Sequence, residues 1–145
     1  MEIGRRCAAA LLATPDGRYL MQHRDDLPHI FLPGHWACFG GGIDPGDSAE
    51  AALRRELREE IDFAVGEVTA FTDMTILMPL SQPRRDHITF FAAPIVEADL
   101  ARMTLREGQD LALLTPETLA REPRVAPWDL AAVLMHARRS TLFPR

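Results

Sequence analysis

Residues 54–60 read Arg-Arg-Glu-Leu-Arg-Glu-Glu, which sets Glu56, Glu59 and Glu60 at i, i+3 and i+4. On a helix these three are neighbours, and like charges so spaced repel by roughly a few tenths of a kcal/mol per pair. Such a run is ordinarily a solvated face laced with Arg–Glu pairs. The helical wheel argues otherwise here. With Leu53 at zero and about 100° per residue, Leu57 falls at about +40°, Ala49 at about −40° and Ala52 at about −100°. Glu60, at about −20°, and Glu56, at about −60°, lie inside that apolar arc, with Glu59 at its edge at about −120°. Carboxylates turned toward a core need partners, because an unpaired buried charge is costly. Arginine is one partner and a divalent metal ion the other. Carboxylate oxygens with no histidine or cysteine beside them favour Mg²⁺ or Mn²⁺ over zinc.

The elements around this run decide what such a centre would act on. Ser48 to Ile61 is rich in Ala, Leu, Arg and Glu and reads as a helix, capped by Asp47 or Ser48. Gly40-Gly41-Gly42 and Pro45-Gly46 precede it as a glycine-rich loop. Backbone N–H groups in such a loop can face an anion, and the missing side chains let a phosphate come close. Glycine loop and carboxylates together suggest a phosphate-ester or diphosphate substrate. Upstream, Ala8–Ala13 and Arg18–His23 read as strands joined by a Pro15-Asp16-Gly17 turn, and Trp36–Phe39 as a short strand. Downstream, Val65–Phe71, Thr75–Met78, His87–Val96 and Leu111–Leu114 read as strands. Pro79–Asp86 reads as a turn region, and Pro116–Ala120 and Trp128–Arg138 as helices. Strands interleaved with a few helices predict an α/β fold, a mixed sheet covered on both faces.

Gly41, five residues, Asp47, seven residues, then Arg55-Glu56-Leu57-Arg58-Glu59-Glu60-Ile61-Asp62-Phe63 resembles the Nudix box, G-x5-E-x7-R-E-U-x-E-E-x-G-U, where U is a bulky apolar residue. The match spans 41–63 without insertion or deletion, and the R-E-U-x-E-E core is intact. Two positions depart: Asp47 stands for the family's Glu, keeping the charge with one methylene less reach, and Asp62 for its second Gly, a residue that tolerates a left-handed cap. Outside the box the chain is most similar to the MutT-type nucleoside triphosphate pyrophosphohydrolases. Arg84-Arg85-Asp86-His87-Ile88-Thr89 resembles a strand segment of theirs, and Glu107-Gly108-Gln109 resembles their later Glu-Gly-Gln.

The resemblance implies a single Nudix hydrolase domain over 1–145 with an α/β/α sandwich and a mixed β-sheet. It implies hydrolysis of the diphosphate linkage of a nucleoside triphosphate or related nucleoside diphosphate derivative, with Mg²⁺, or Mn²⁺ in its place, as cofactor. It assigns metal ligation to Glu56 and Glu60, and to Glu59 directly or through water, with Glu56 one candidate for the base. Arg55 orients a glutamate, and Gly41 offers its backbone to metal or phosphate, with Gly42 beside it in the substrate-binding loop. Glu107 is the further metal ligand, with Glu97 its rival. Arg24 falls where a phosphate-contacting arginine stands, although pairing with Asp25 or Asp26 is the plain alternative. Trp36 and Phe39 border the glycine loop and either stack on a base or pack in the core, and Phe31 and Trp128 are further base-contact candidates. MutT-type enzymes read the base with a C-terminal asparagine. This chain has no asparagine, so Asp129 or a backbone group would have to substitute, and the base stays open. Loop 25–35 is the expected specificity lid.

Composition narrows the rest. The chain has 145 residues, 47% hydrophobic and 26% charged, a globular make-up for one domain. With 16 basic and 21 acidic residues the net charge is −5, a poor match to a nucleic-acid polymer. Every basic residue is arginine, which excludes Schiff-base lysine chemistry and a P-loop lysine. No apolar run is long enough for a membrane span. Cys7 and Cys38 lack metal spacing and read as buried thiols in a reducing compartment. With the alanine- and arginine-rich composition this leads to the expectation of a cytoplasmic bacterial protein acting on a small-molecule nucleotide. The family admits a homodimer, and nothing in the chain decides it. Two other functions compete: a nucleotide-sugar or dinucleoside polyphosphate hydrolase, and a non-catalytic nucleotide-binding sensor. The sensor would be expected to lose box glutamates and to carry a DNA-binding segment that does not fit this length.

Overall fold

The computed structural model describes residues 3–142, so the expected domain 1–145 runs past them at both ends. Strand β1 (Ile3–Leu11) lies at the centre. It pairs antiparallel with β4 (Gly40–Gly42) and parallel with β6 (Arg84–Ala92), and β6 pairs antiparallel with β5 (Thr69–Met78). A second sheet sets β2 (Tyr19–His23) between β3 (Trp36–Ala37) and β7 (Asp110–Leu114), all antiparallel. Both parallel and antiparallel ladders are present, as a mixed sheet requires.

The apolar run of β1 buries both of its faces, the pattern of a strand in the middle of a layered fold. Ala8, Ala10 and Leu12 enter one core with Leu20, Phe39 and Phe91. Helix α1 (Ala49–Ile61) covers that face through Leu53, Leu57 and Ile61. Ala9 and Leu11 enter a second core with Tyr19, Met21 and Phe90, covered by Leu119 of α2 (Pro116–Arg121) and Ala132 and Val133 of α3 (Pro127–Ala137). A final turn of helix, α4, spans Arg139–Leu142. Leu53, Leu57 and Ile61 are fully buried, and each contributes about 1.5–3 kcal/mol. Helices on both faces of the β1-centred sheet make the α/β/α sandwich.

Three expectations about elements are corrected, and one element is added. The three glycines are strand β4, not a loop, since Cys7, Ala8 and Ala9 hold them in register. Val65–Phe71 and Thr75–Met78 are one strand from Thr69, bent by a register shift between Ala70 and Thr72. Strand β6 begins at Arg84, inside the stretch read as a turn, and ends at Ala92, because Pro94 lacks the N–H a ladder needs. Glu97–Arg102 forms a 3₁₀ helix that no periodicity announced, opened by Asp99 accepting the Val96 N–H at 2.9 Å. No helix among the described residues is long and apolar enough to cross a membrane.

His136 ties α3 to the sheet. Its Nδ1 lies 2.7 Å from the Tyr19 hydroxyl, and its ring stands edge-on to Tyr19 and Phe71. Burial, aided by Arg139, pushes its pKa down to about 4. The folded state therefore resists a proton that the unfolded chain accepts near pH 6.5. This contribution to stability is complete above pH 6.5 and is lost as pH falls toward 4, by up to about 3 kcal/mol. Thermal melts at pH 7.5 and 5 should show a larger acid loss for the wild type than for His136→Gln. An equal loss in both would remove His136 as the cause.

Candidate active site

Helix α1 is delivered by its ends. The Ser48 side chain accepts the Ala51 N–H at 3.1 Å, so Ser48 rather than Asp47 is the cap. At the far end Asp62 adopts φ 50°, ψ 44°, the left-handed cap that the family's glycine provides, and its N–H donates to the Leu57 and Arg58 carbonyls. Asp47 is thereby freed to take Arg55 Nη1 at 2.6 Å, while Arg55 Nη2 donates to the Gly42 carbonyl at 3.2 Å. Arg55 also faces Asp44, Glu56 and Glu59 at 3.6, 3.7 and 3.9 Å. It is wholly engaged in binding β4 and its following loop to α1.

Glu60 is 3% exposed. Burial first, then the charges of Glu107 and Glu56, push its pKa up to about 9, although the Gly40 N–H donates to it. Glu56 is raised in the same direction, by burial and then by Glu59, and shares a hydrogen bond with Glu60. Gly41 leaves room for this pair: a Cβ there would stand 2.5 Å from the Glu56 carboxyl carbon. Glu59 stays largely exposed, turned toward Arg55. Among the described residues no three acidic, histidine or cysteine groups form a ready-made metal cage. The donor chemistry nonetheless fits a hard divalent cation: all the groups are oxygens, and a buried carboxylate flanked by two more is stabilised as an anion by positive charge.

The rival acidic residues separate cleanly. The loop bearing Glu107 is tied to the end of α1, the Arg106 N–H donating to the Glu60 carbonyl at 2.7 Å. Gln22 Nε2 donates to the Glu107 carbonyl at 3.0 Å. Glu97 is instead engaged by Arg18 at 2.9 Å.

Beside Gly40 and Gly41 opens a cavity of about 150 Å³, lined among others by Arg5, Arg24, Phe31, Trp128 and Asp129. Phe31 and Trp128 lie parallel, 6.0 Å apart with 6° between planes. Asp129 is buried and its Oδ2 accepts the Cys38 N–H at 2.9 Å. Burial lifts its pKa to about 7 against that hydrogen bond and Arg24. Arg24 borders the cavity with its Nε on the Phe31 carbonyl at 3.0 Å, holding loop 25–35 from within. A larger cavity of about 610 Å³ lies between Thr14, Pro94 and Arg139; neither cavity is lined by a box glutamate, and only the smaller one reaches the glycines of β4 that Glu56 packs against.

The Phe39 expectation is corrected. Its ring is fully buried in the α1-side core and has no face to offer a base, because residue 39 precedes β4 and turns inward beneath Leu12 and Leu20. Trp36 stacks on His23 at 4.5 Å, outside the cavity lining. His87 faces Thr75 and Asp73, while its neighbours Arg84 and Asp86 line the cavity. Sequence reading missed Arg5 because strand β1 was started at Ala8. Carried back from Leu11 and Ala9, the period of two puts Cys7 and Arg5 on the same face.

Such a box on such a fold defines a class of phosphoanhydride hydrolases, and comparison with known proteins agrees. A NUDIX domain model matches residues 4–134, and the chain belongs to the Nudix hydrolase family. It is 34% identical over 121 residues to the nucleoside triphosphatase NudI of Escherichia coli, covering 79% of this chain and 85% of that protein. Among solved structures, a MutT protein from Methanosarcina mazei superposes with TM-score 0.73 at 18% identity, over 97% of this chain and 98% of the other. The NUDIX domain of Shewanella oneidensis NrtR, complexed with ADP ribose, gives 0.73 at 17% identity, over 98% and 90%. These two likenesses concern the fold.

Proposed function

We propose that this protein hydrolyses a nucleoside triphosphate at a diphosphate linkage, with Mg²⁺ held by Glu56, Glu60 and Glu107 and, on the solvent side, Glu59. The observation that carries the reading is the Glu56–Glu60 pair, with Glu56 set against side-chain-free Gly41, a residue that also lines the cavity. The relative NudI, described as a nucleoside triphosphatase, supports the substrate class.

A divalent cation bound there supplies neutralisation of phosphate charge and acidification of a water. The rest is done by the chain. Gly41 and Gly42 present bare backbone to the phosphates, and Arg24 meets them from the cavity side. Arg55 fixes Glu56 relative to β4 without touching substrate. Glu56, half-buried beside Glu60, takes the proton as water adds to phosphorus and the bridging P–O bond breaks. At about 150 Å³ the cavity is below the size that encloses whole ligands, so the base enters and the phosphates lie at its rim beside Gly40 and Gly41. The base lies against Phe31 and Trp128, and Asp129, whose pKa lies near neutrality, serves its edge as donor or acceptor.

The test is a panel of ribo- and deoxynucleoside triphosphates, nucleotide sugars and dinucleoside polyphosphates, with products separated by chromatography. Mg²⁺-dependent release of nucleoside monophosphate or diphosphate from triphosphates is expected to exceed turnover of the others by tenfold or more, on the order of one lost charged contact. Preferential cleavage of the sugar or dinucleoside compounds would replace this reading.

A further inference from the structure

The arginines around the cavity are not equivalent. Arg55 is saturated by the carboxylates of Asp44, Asp47, Glu56 and Glu59 and by the Gly42 carbonyl. Arg84 is locked on buried Asp86 through two hydrogen bonds, 2.7 and 3.1 Å. Arg24 spends its Nε on the Phe31 carbonyl. Arg5 differs from all three. It sits directly across from Asp86 in the β1–β6 ladder, yet Arg84 already occupies that carboxylate. Among the described residues, no carboxylate lies within ion-pair reach of Arg5 and no side-chain hydrogen bond holds it.

Its position is as informative as its lack of partners. Arg5 is exposed, lines the cavity with Gly40 and Gly41, and lies over Gly42. A Cβ at Gly42 would stand 3.7 and 3.8 Å from its Nη2 and Nε. The guanidinium therefore lies at van der Waals range over the bare face of β4 at Gly42. One step along β4, Gly41 carries Glu56 against it. The bare strand thus lies between a carboxylate pair and an uncommitted cation with five N–H donors in a planar fork.

We infer that Arg5 is the substrate's phosphate anchor on the cavity side of β4, gripping a phosphate that the carboxylate centre does not hold and so favouring longer phosphate chains. This rests on the nucleotide hydrolase reading above and adds a residue to it. A planar fork suits two oxygens of one phosphate, which a lysine at the same place would meet only as a point charge.

The experiment uses the whole protein with Arg5→Ala and Arg5→Lys, each checked for an unchanged melting temperature, as an exposed strand residue predicts. Two readouts are taken: KM and kcat on the best triphosphate, and calorimetric binding of inorganic tripolyphosphate in Mg²⁺. Arg5→Ala is expected to raise KM about tenfold or more with kcat within twofold, to weaken tripolyphosphate to the same extent, and to affect a nucleotide sugar less. Arg5→Lys should recover part of both. Unchanged KM and unchanged tripolyphosphate binding in Arg5→Ala would overturn the inference while leaving nucleotide hydrolysis intact. A wild type that cleaves no nucleotide but binds tripolyphosphate through Arg5 would sink the functional reading and keep the anchor.

Discussion

Glu60→Gln is expected to lower kcat by about 10²–10³-fold or more, the scale seen when one preorganised electrostatic partner is removed from an active site. The side chain is 3% exposed and cannot be replaced by solvent. Glutamine keeps its volume and can still accept the Gly40 N–H through its amide oxygen, so the packing of Leu57 and Ile61 on the β1 face is undisturbed. What it loses is the ability to become an anion beside a bound cation. With its pKa at about 9 the buried carboxyl is neutral until a cation holds it, as the amide is, so the chelator-treated variant should melt no lower than the wild type. Mg²⁺ should raise the wild-type melting temperature, since a ligand of the folded state stabilises it, and should raise that of Glu60→Gln much less. Calorimetric melts with and without Mg²⁺, alongside steady-state rates, check all three. Full activity, or an equal Mg²⁺ response in both proteins, would take Glu60 out of the metal centre.

The candidate carboxylate site was legible because its determinants are local. Glu56 and Glu60 fall on the same face as Leu53 and Leu57 whatever the rest of the chain does, and the family box adds register without a gap. The covering of both sheet faces followed from the unbroken apolar run of β1. What escaped depended on pairing between distant segments. Three consecutive glycines read as a loop by their own propensities, and only the β1 ladder makes them a strand. Phe39 borders the glycines in sequence, but the inward turn before β4 takes its ring away from the cavity. Glu107 and Glu97 are alike as residues. Backbone hydrogen bonds to the end of α1 bring the first to the site, and Arg18 holds the second away. That no carboxylate among the described residues pairs with Arg5 is likewise invisible in sequence, since it depends on Arg84 holding the Asp86 that faces Arg5 across the ladder.

Adjacent glycines of β4 should fail in opposite ways when given a methyl group. At Gly40 φ is 152°, and a Cβ would stand 2.1 Å from the Ala8 carbonyl oxygen and 2.8 Å from the Ala9 Cα. Both are backbone atoms of the central strand, so nothing can swing aside. Overpacking and an unfavourable φ together amount to about 3–5 kcal/mol, a large part of the stability of an ordinary domain. Gly40→Ala is expected to lower the melting temperature by roughly 10 °C or more, or to leave the protein insoluble. At Gly41 the clash, 2.5 Å, is with the carboxyl end of Glu56, a flexible side chain that can rotate away. Gly41→Ala should therefore melt within a few degrees of the wild type, a shift of about 1 kcal/mol. Its kcat should nevertheless fall about a hundredfold, because a displacement of roughly 1 Å in a positioning group costs that much. A Gly41→Ala protein with wild-type kcat would show that β4 does not set where Glu56 stands. A Gly40→Ala protein with an unshifted melt would show that β4 can part from β1 without cost.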